Sequence, residues 1–206
     1  MTVGRGGRPR VCLDLFAGTG GATAAFVDRG WRVLRLDCDR RHRPDILGDV
    51  RRLPLAGRVD FLWASPPCTE FSDANPQVDH RRKRPQLGLI ECTLEAVRDL
   101  RPRFWIMENV RGAIPFLGIP VQKIGPWCLW GYFPPLRVRW AMQTYEKARA
   151  GWTAEARAAI PYDVSLAVVE AVELLWDHPS ILDLRAFRRH RHVAAVARRD
   201  GPELWG

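Results

Sequence analysis

Hydrophobic and polar residues form blocks that predict strands and helices in alternation along the chain. Short apolar runs indicate buried strands, and apolar residues three and four apart indicate helices that pack on one face. Strands are predicted at 11–15, 31–37, 59–64, 104–107 and 126–136. Helices are predicted at 22–30, 87–101 and 160–176, with Pro161 in the first turn of the last. This order predicts an α/β fold, with a mostly parallel, doubly wound sheet and helices on both faces.

One long segment, 72–86, shows no regular pattern. It reads SDANPQVDHRRKRPQ and carries four adjacent basic residues, namely Arg81, Arg82, Lys83 and Arg84. Long irregular loops in compact domains are often functional, so contact with an anionic ligand is one interpretation and a solvated linker is the other. A second basic segment, 185–199, predicts an amphipathic helix.

The composition is typical of one domain and adds a strong positive charge. A chain of 206 residues buries enough surface to fold without disulfides or metal. The net charge is +9, and arginine supplies all but three of the 32 basic residues, the exceptions being Lys83, Lys123 and Lys147. Arginine makes two-pronged contacts with phosphates, which favours a polyanionic partner. A GC-rich coding bias is the alternative explanation.

The cysteine spacing fits a reducing compartment, and the hydropathy predicts neither a membrane helix nor a signal peptide. The five cysteines are odd in number and form no C-x-x-C pair, which argues against a disulfide framework and a zinc site. No stretch approaches the ~20 apolar residues of a membrane helix. The N-terminus lacks the apolar core of a signal peptide, so we expect a cytoplasmic protein without a metal or a membrane contact.

The first motif that suggests ligand binding is DLFAGTGG at 14–21, between a predicted strand and a predicted helix. Its glycines let the backbone approach a ligand where helix-start amides point outward. A dinucleotide fingerprint would have glycine where Thr23 stands, so NAD is disfavoured. Asp37 ends the next strand, where a ribose diol would bind. A purely structural tight turn is the alternative.

Two further motifs follow strands at the same predicted edge. SPPCTEFS at 65–72 uses two prolines to fix the backbone before Cys68, and this position favours a nucleophile over a buried structural thiol. MENVRG at 107–112 brings Glu108 to the edge as a general acid or hydrogen-bond partner.

Together, DLFAGTGG, PPCTEFS and ENVRG resemble the cytosine-5 DNA methyltransferase family over about residues 10–175. The resemblance implies a Rossmann-like S-adenosylmethionine-dependent fold, S-adenosyl-L-methionine as methyl donor, and DNA, in double-stranded form, as partner. Donor-binding residues implied by the resemblance or its motifs are Asp14, Phe16, Ala17, Gly18, Thr19, Gly20, Gly21, Asp37, Cys38, Asp49, Val50 and Pro66. Asp37 would bind the ribose hydroxyls, Cys38 would lie beside the adenine, and Asp49 would bind the adenine amine. Expected substrate-binding residues are Pro67, Ser72, Arg81, Arg82, Lys83, Arg84, Asn109, Gln122 and Lys123.

The resemblance also implies a mechanism. The Cys68 thiolate would attack carbon 6 of cytosine, which makes carbon 5 nucleophilic toward the methyl group. Glu108 would hydrogen-bond to ring nitrogen 3 and the exocyclic amine. A base inside a duplex would first have to flip out.

The sequence departs from the family in three respects. The usual Q-x-R-x-R stretch is reduced to Gln122 and Lys123, with Arg137 or Arg139 as possible substitutes for its arginine. The family's glycine-asparagine pair before the closing helix is replaced by Pro161 and Tyr162. The recognition region shrinks to about 132–159, which suggests relaxed specificity, recognition by other loops, or a partner protein. We expect a catalytic domain at 1–176 with a basic extension at 177–206.

Three functions remain open from sequence. The first is cytosine-5 methylation of DNA, and the second is the same chemistry on RNA or a free cytosine nucleotide. The third is a non-catalytic nucleic-acid-binding protein on a degenerate methyltransferase fold. A restriction partner, a phage-borne enzyme and an orphan regulatory enzyme are all compatible settings.

Overall fold

The computed structural model describes residues 8–71, 85–138 and 159–178. The strands are β1 (Val11–Leu15), β2 (Arg32–Asp37), β3 (Ile46–Leu47), β4 (Phe61–Ala64), β5 (Phe104–Val110), β6 (Gln122–Ile124) and β7 (Trp127–Tyr132). The helices are α1 (Ala24–Asp28), α2 (Gly88–Leu100), α3 (Ile114–Leu117) and α4 (Tyr162–Asp177). Short 3-10 turns occupy Gly21–Thr23, Arg40–His42, Val50–Arg52 and Arg111–Ala113.

The strands form one sheet in the order β3-β2-β1-β4-β5-β7-β6. The first five strands are parallel, and β7 runs antiparallel to both of its neighbours. Strand order reverses between β1 and β4, where ligands bind in sheets of this kind. The predicted Rossmann-like, mostly parallel α/β fold is therefore confirmed.

Alternate residues of each central strand supply two separate cores. Cys12, Phe61 and Ile106 belong to the core beneath α1 and α4. Their chain neighbours Leu13 and Leu62 belong to the core on the opposite face, beneath α2. Because strand side chains alternate in direction, a sheet covered on both faces requires strands that are apolar throughout, which explains the continuous apolar runs.

Helix α4 is held by a buried ionic cluster as well as by apolar packing. The Glu173 carboxylate, which is 4% exposed, accepts hydrogen bonds from Arg29 Nε and Trp31 Nε1, both at 2.9 Å. Arg10 is also buried and donates to Asp177 Oδ1 at 2.6 Å. These contacts join the end of α4 to the beginning of the sheet, opposite the edge where the motifs meet.

The structure corrects the predicted elements at several points. β5 continues through Val110, so Glu108 lies within the strand instead of after it. The short strands β3 and β6 were not predicted. Pro161 lies outside α4 as its N-cap residue, with extended backbone, and not in the first turn. The predicted helix at 185–199 lies outside the described residues, as does the predicted extension at 177–206 apart from its first two residues.

Candidate active site

The glycine motif forms a tight turn that is tied to β2. Phe16, Gly18 and Gly20 have φ values of 59°, 51° and 80°, a left-handed region that favours glycine at the latter two positions. Ala17 N–H donates to the Leu36 carbonyl at 3.1 Å. A side chain added at Gly18 would meet no atom within 4 Å, so open space lies above this part of the turn.

Asp37 links the glycine turn to the end of β2. Its Oδ2 accepts a hydrogen bond from Gly18 N–H and its Oδ1 accepts one from Asp39 N–H, both at 2.8 Å. His42 Nδ1 lies 3.4 Å from Oδ2. The carboxylate is thus oriented at the carboxyl end of the sheet, where sequence analysis expected it.

Asp14 supports the turn from below. It is 1% exposed, and its Oδ2 accepts a hydrogen bond from the Thr23 hydroxyl at 2.6 Å. Burial raises the pKa of this carboxyl to about 7. Because the hydrogen bond joins β1 to the beginning of α1, Asp14 holds the turn together.

Helix α4 approaches the same turn through the residue that precedes Pro161. A side-chain carbon at Gly21 would lie 2.7 Å from the Ile160 carbonyl oxygen. Only glycine permits this contact without displacement of the backbone. The closing helix therefore returns to the glycine turn, as the resemblance implied, although Pro161 and Tyr162 replace the usual pair.

The residues expected to lie near the adenine ring of the donor follow β2 and β3. Cys38 is exposed and Val50 is buried. Gly48 N–H donates to the Asp37 carbonyl at 3.0 Å, which brings Asp49 close to the end of β2. The Asp49 carboxylate caps the following turn and pairs with Arg51, whose Nη2 lies 2.7 Å from Asp49 Oδ2. Thr19 is exposed at the tip of the glycine turn.

The loop after β4 is fixed by Asn109. The Asn109 side-chain amide donates to the Pro66 carbonyl at 3.0 Å, and its oxygen accepts from Val110 N–H at 2.9 Å. Cys68 follows in a short turn, in which Phe71 N–H donates to the Cys68 carbonyl at 2.9 Å. Asn109 was predicted to bind substrate, whereas in this structure it anchors the backbone that carries Cys68.

Cys68 and Glu108 lie close enough for their charges to interact. Burial and the negative charge of Glu108 both raise the pKa of the half-buried Cys68 thiol. Glu108 is 8% exposed, and its burial raises its pKa to about 7, while a hydrogen bond from Ser65 opposes that shift. Glu108 is therefore about half protonated at neutral pH, as a buried carboxyl available to donate a hydrogen bond.

Ser65 completes this pair and was missed by sequence analysis. Its Oγ accepts a hydrogen bond from Trp63 Nε1 at 2.9 Å while the hydroxyl bonds to Glu108. The hydroxyl proton is thereby directed at the carboxyl group. The only sequence signal was the position of Ser65 at the end of a buried strand, beside the two prolines.

A cavity of about 150 Å³ lies beside the loop that follows β4 and carries Cys68, residues 65–71, here called the Cys68 loop. The loop lines one side through Pro66 and Pro67, and Leu89 and Ile90 line the other at the beginning of α2. Arg51 also lines this cavity. Sequence analysis did not predict Leu89, Ile90 or Arg51 as part of the site.

Gln122 and Lys123 lie on β6, two strands away from β5. The Gln122 amide bonds to the backbone of Leu136 in both directions, at 2.8 and 2.9 Å. Its polar atoms therefore hold the chain after β7. Lys123 is exposed. The remaining predicted substrate residues, Ser72, Arg81, Arg82, Lys83 and Arg84, lie outside the described residues.

The described parts of the chain contain neither a candidate metal cluster nor a candidate membrane span. There, no three or more His, Cys, Asp or Glu side chains are grouped to hold a metal ion. Likewise, none of the helices between residues 8 and 178 that the structure describes has the length and apolarity to cross a membrane.

Two known methyltransferases are similar to this chain over part of their length. DNA (cytosine-5)-methyltransferase PliMCI of Paracentrotus lividus is 29% identical over 147 residues, covering 57% of this chain and 9% of its own. Type II methyltransferase M.BanI of Aneurinibacillus aneurinilyticus is 31% identical over 118 residues, covering 50% of this chain and 27% of its own. The chain thus matches less than a third of the length of either relative.

The solved structure of the PH0226 protein from Pyrococcus horikoshii OT3 aligns with 58% of each chain, at 18% identity and a TM-score of 0.36, too low to support a conclusion. The family match is more extensive. C-5 cytosine-specific DNA methylases match residues 11–116, just over half of the chain, and this range contains the glycine turn, Cys68 and Glu108. The chain belongs to the C-5 cytosine-specific DNA methylase family.

Proposed function

We propose that this chain transfers a methyl group from S-adenosyl-L-methionine to carbon 5 of cytosine in DNA, through a covalent bond between Cys68 and carbon 6. The observation that carries the proposal is the juxtaposition of the Cys68 thiol and the buried Glu108 carboxyl beside the glycine turn. Family membership supports the reaction class.

The two side chains have complementary tasks. Cys68 sulfur bonds to carbon 6 of the ring, and electron density moves toward carbon 5 and nitrogen 3. Protonated Glu108 donates a hydrogen bond to nitrogen 3 and stabilises the charge that develops there. After carbon 5 is methylated, it loses its proton to a base or water, the carbon–sulfur bond breaks, and the thiolate returns.

The residues at the end of β1 and β2 fit the methyl donor. The open space above Gly18 admits a ligand against the backbone, and the oriented Asp37 carboxylate suits a ribose diol. Asp49, brought close to Asp37 by the Gly48 hydrogen bond, would then accept from the purine amine. When bound, the donor supplies the electrophilic methyl group.

DNA is the proposed substrate because the chemistry and the charge agree. A net charge of +9 favours a polyanion over a single nucleotide. A cytosine in a duplex must leave the stack to reach Cys68, at a cost of a few kcal/mol. The basic residues Arg81, Arg82, Lys83 and Arg84, which follow the Cys68 loop, are proposed phosphate contacts.

Methyl transfer from labelled donor tests this function. Purified protein is incubated with duplex DNA of varied sequence, with RNA and with dCMP, and 5-methylcytosine is measured by mass spectrometry. We expect product on duplex DNA, and its loss in Cys68→Ser but not in Cys92→Ser, because Cys92 lies on α2 and has no proposed role in binding or catalysis. Transfer to RNA or dCMP alone would refute the DNA substrate, and no transfer to any of the three would refute the reaction.

A further inference from the structure

Two Asp-x-Arg turns flank the proposed donor site. Asp39 and Asp49 each cap a 3-10 turn by accepting a hydrogen bond from the backbone N–H of Arg41 and Arg51, respectively, both at 2.9 Å. In each turn the arginine Nε and Nη2 also bond to the carboxylate. The two turns are therefore matched in geometry, and one serves as a control for the other.

The two turns differ in the surroundings of their arginine side chains. Arg51 lines the cavity between the Cys68 loop and the beginning of α2. Arg41 does not line this cavity, and its side chain is 85% exposed. Asp49 is also the carboxylate proposed to bind the purine amine of the donor. Arg51 alone thus combines the ion pair with a position in the proposed binding region.

Arg51 occupies most of the hydrogen-bonding capacity of Asp49. A carboxylate has about four lone-pair positions. Arg51 N and Nε approach Oδ1 at 2.9 and 3.0 Å, and Nε and Nη2 approach Oδ2 at 3.0 and 2.7 Å. These four contacts come from three N–H groups, because Nε is shared between the two oxygens. About one acceptor position is therefore left for a ligand amine, and the adjacent positive charge weakens it as an acceptor.

We propose that Arg51 determines how strictly the donor site selects an amine at carbon 6 of the purine ring. The guanidinium weakens the Asp49 contact with an amine and offers its own donors to a carbonyl oxygen at the same ring position. The wild-type site therefore tolerates a hypoxanthine ring where a free Asp49 would reject it. This inference rests on the proposed donor site.

Calorimetry with two product analogues tests the proposal. S-adenosylhomocysteine carries the amine, and S-inosylhomocysteine carries a carbonyl oxygen in its place. We expect Arg51→Gln to raise the ratio of their dissociation constants, inosyl over adenosyl, by about tenfold, because a hydrogen bond to a charged group contributes about this much. Arg41→Gln should leave the ratio unchanged, and Asp49→Asn should lower it.

The outcomes separate this inference from the proposed function. If Arg51→Gln weakens both analogues equally, or changes neither, Arg51 does not control selectivity and the inference is wrong. An unchanged ratio in Asp49→Asn would also overturn it, because Asp49 would not contact the ring. If the wild-type protein binds neither analogue, the proposed donor site fails first. An exposed ion pair contributes little to folding, so each variant should unfold as the wild type does.

Discussion

The central feature at the scale of single residues is a pair of groups whose proton requirements conflict. In the proposed reaction Glu108 keeps its proton to donate to the cytosine ring, and burial raises its pKa to about 7. In the same proposal Cys68 loses its proton to attack, and burial together with the charge of Glu108 raises the pKa of the thiol above its ordinary value. The competent form, with neutral Glu108 and ionised Cys68, is therefore a minor species at neutral pH.

This conflict predicts an unusual pH profile for single-turnover methyl transfer. Below about pH 7 the rate should rise tenfold per pH unit as the thiolate fraction grows. Above about pH 7 it should level off, because the loss of the Glu108 proton cancels that gain. In Glu108→Gln the rate should be lower by about a hundredfold. It should still rise through pH 7 without a break, that is, without a change of slope in the plot of log rate against pH.

The Ser65→Ala variant is a second test of the Glu108 titration. The Ser65 hydroxyl lowers the pKa of Glu108, so its removal should move the break to higher pH. Rates are measured by rapid quench from pH 6 to pH 8.5. A break near pH 7 that persists in Glu108→Gln would show that another group titrates there.

Cys68 and Glu108 could be selected from sequence because each belongs to a motif that adjoins a buried apolar run. The structure brings the two side chains close together, and their catalytic roles stay a prediction. Sequence did not indicate Ser65 or Arg51, because the hydrogen bond from Ser65 to Glu108 and the position of Arg51 in the cavity depend on contacts across the fold. Ser65 matters because Trp63 orients its hydroxyl toward Glu108. Asn109 was assigned to the substrate, yet its hydrogen bond to Pro66 shows a backbone role that its motif does not reveal.

At the scale of elements, the site depends on how α4 meets the glycine turn. The Ile160 carbonyl, just before α4, packs against Gly21 at a distance that excludes a side chain. The turn itself is held to β2 by the Gly18–Asp37 hydrogen bond. The turn and α4 therefore form one structural unit, and a change at their contact should affect both stability and donor binding.

Gly21→Ala tests this contact. The added carbon would lie 2.7 Å from the Ile160 oxygen, so the backbone must shift, and we expect a loss of about 1–3 kcal/mol in the free energy of unfolding in urea. Affinity for S-adenosylhomocysteine should fall as well. Gly88→Ala is the matched control, because no atom lies within 4 Å of its added carbon. Equal effects of the two substitutions would contradict the account.

The longer apolar blocks were predictable at this scale, and short or antiparallel elements were not. β1, β2, β4 and α2 agree with their predicted ranges to within two residues at either end. β5 extends to Val110 because β7 pairs with it as far as Trp127, a partner that local pattern does not specify. β3 has two residues and β6 has three, too few to show a period.

At the scale of the whole molecule, α4 is joined to the first residues of the described chain at the end of the sheet opposite Cys68 and Glu108. Glu173 of α4 accepts hydrogen bonds from Arg29 and Trp31, which lie near the beginning of the chain. Arg10 lies over the rings of Trp31 and Trp176, at 5.7 and 5.3 Å from their centres. This cluster fixes α4 to the sheet at the end remote from Gly21.

Glu173→Ala should destabilise the protein strongly. It leaves Trp31 Nε1 without this acceptor and removes the carboxylate that lies 3.9 Å from the buried Arg10 guanidinium, and breaking a buried ion pair costs about 3–5 kcal/mol. The exposed Glu170 on the same helix is the control, and Glu170→Ala should change the free energy of unfolding by less than about 0.5 kcal/mol. Similar values for both variants would show that the cluster does not hold α4.

The most direct test of the central claim is covalent trapping on duplex DNA that contains 5-fluorocytosine. Fluorine at carbon 5 replaces the proton that must leave, so the Cys68–carbon 6 bond cannot break after methylation. With S-adenosyl-L-methionine present, mass spectrometry should detect a protein–DNA adduct mapped to Cys68, in the wild type and in Cys92→Ser but not in Cys68→Ser. An adduct at another cysteine, or methylation of normal duplex DNA by Cys68→Ser, would contradict the account.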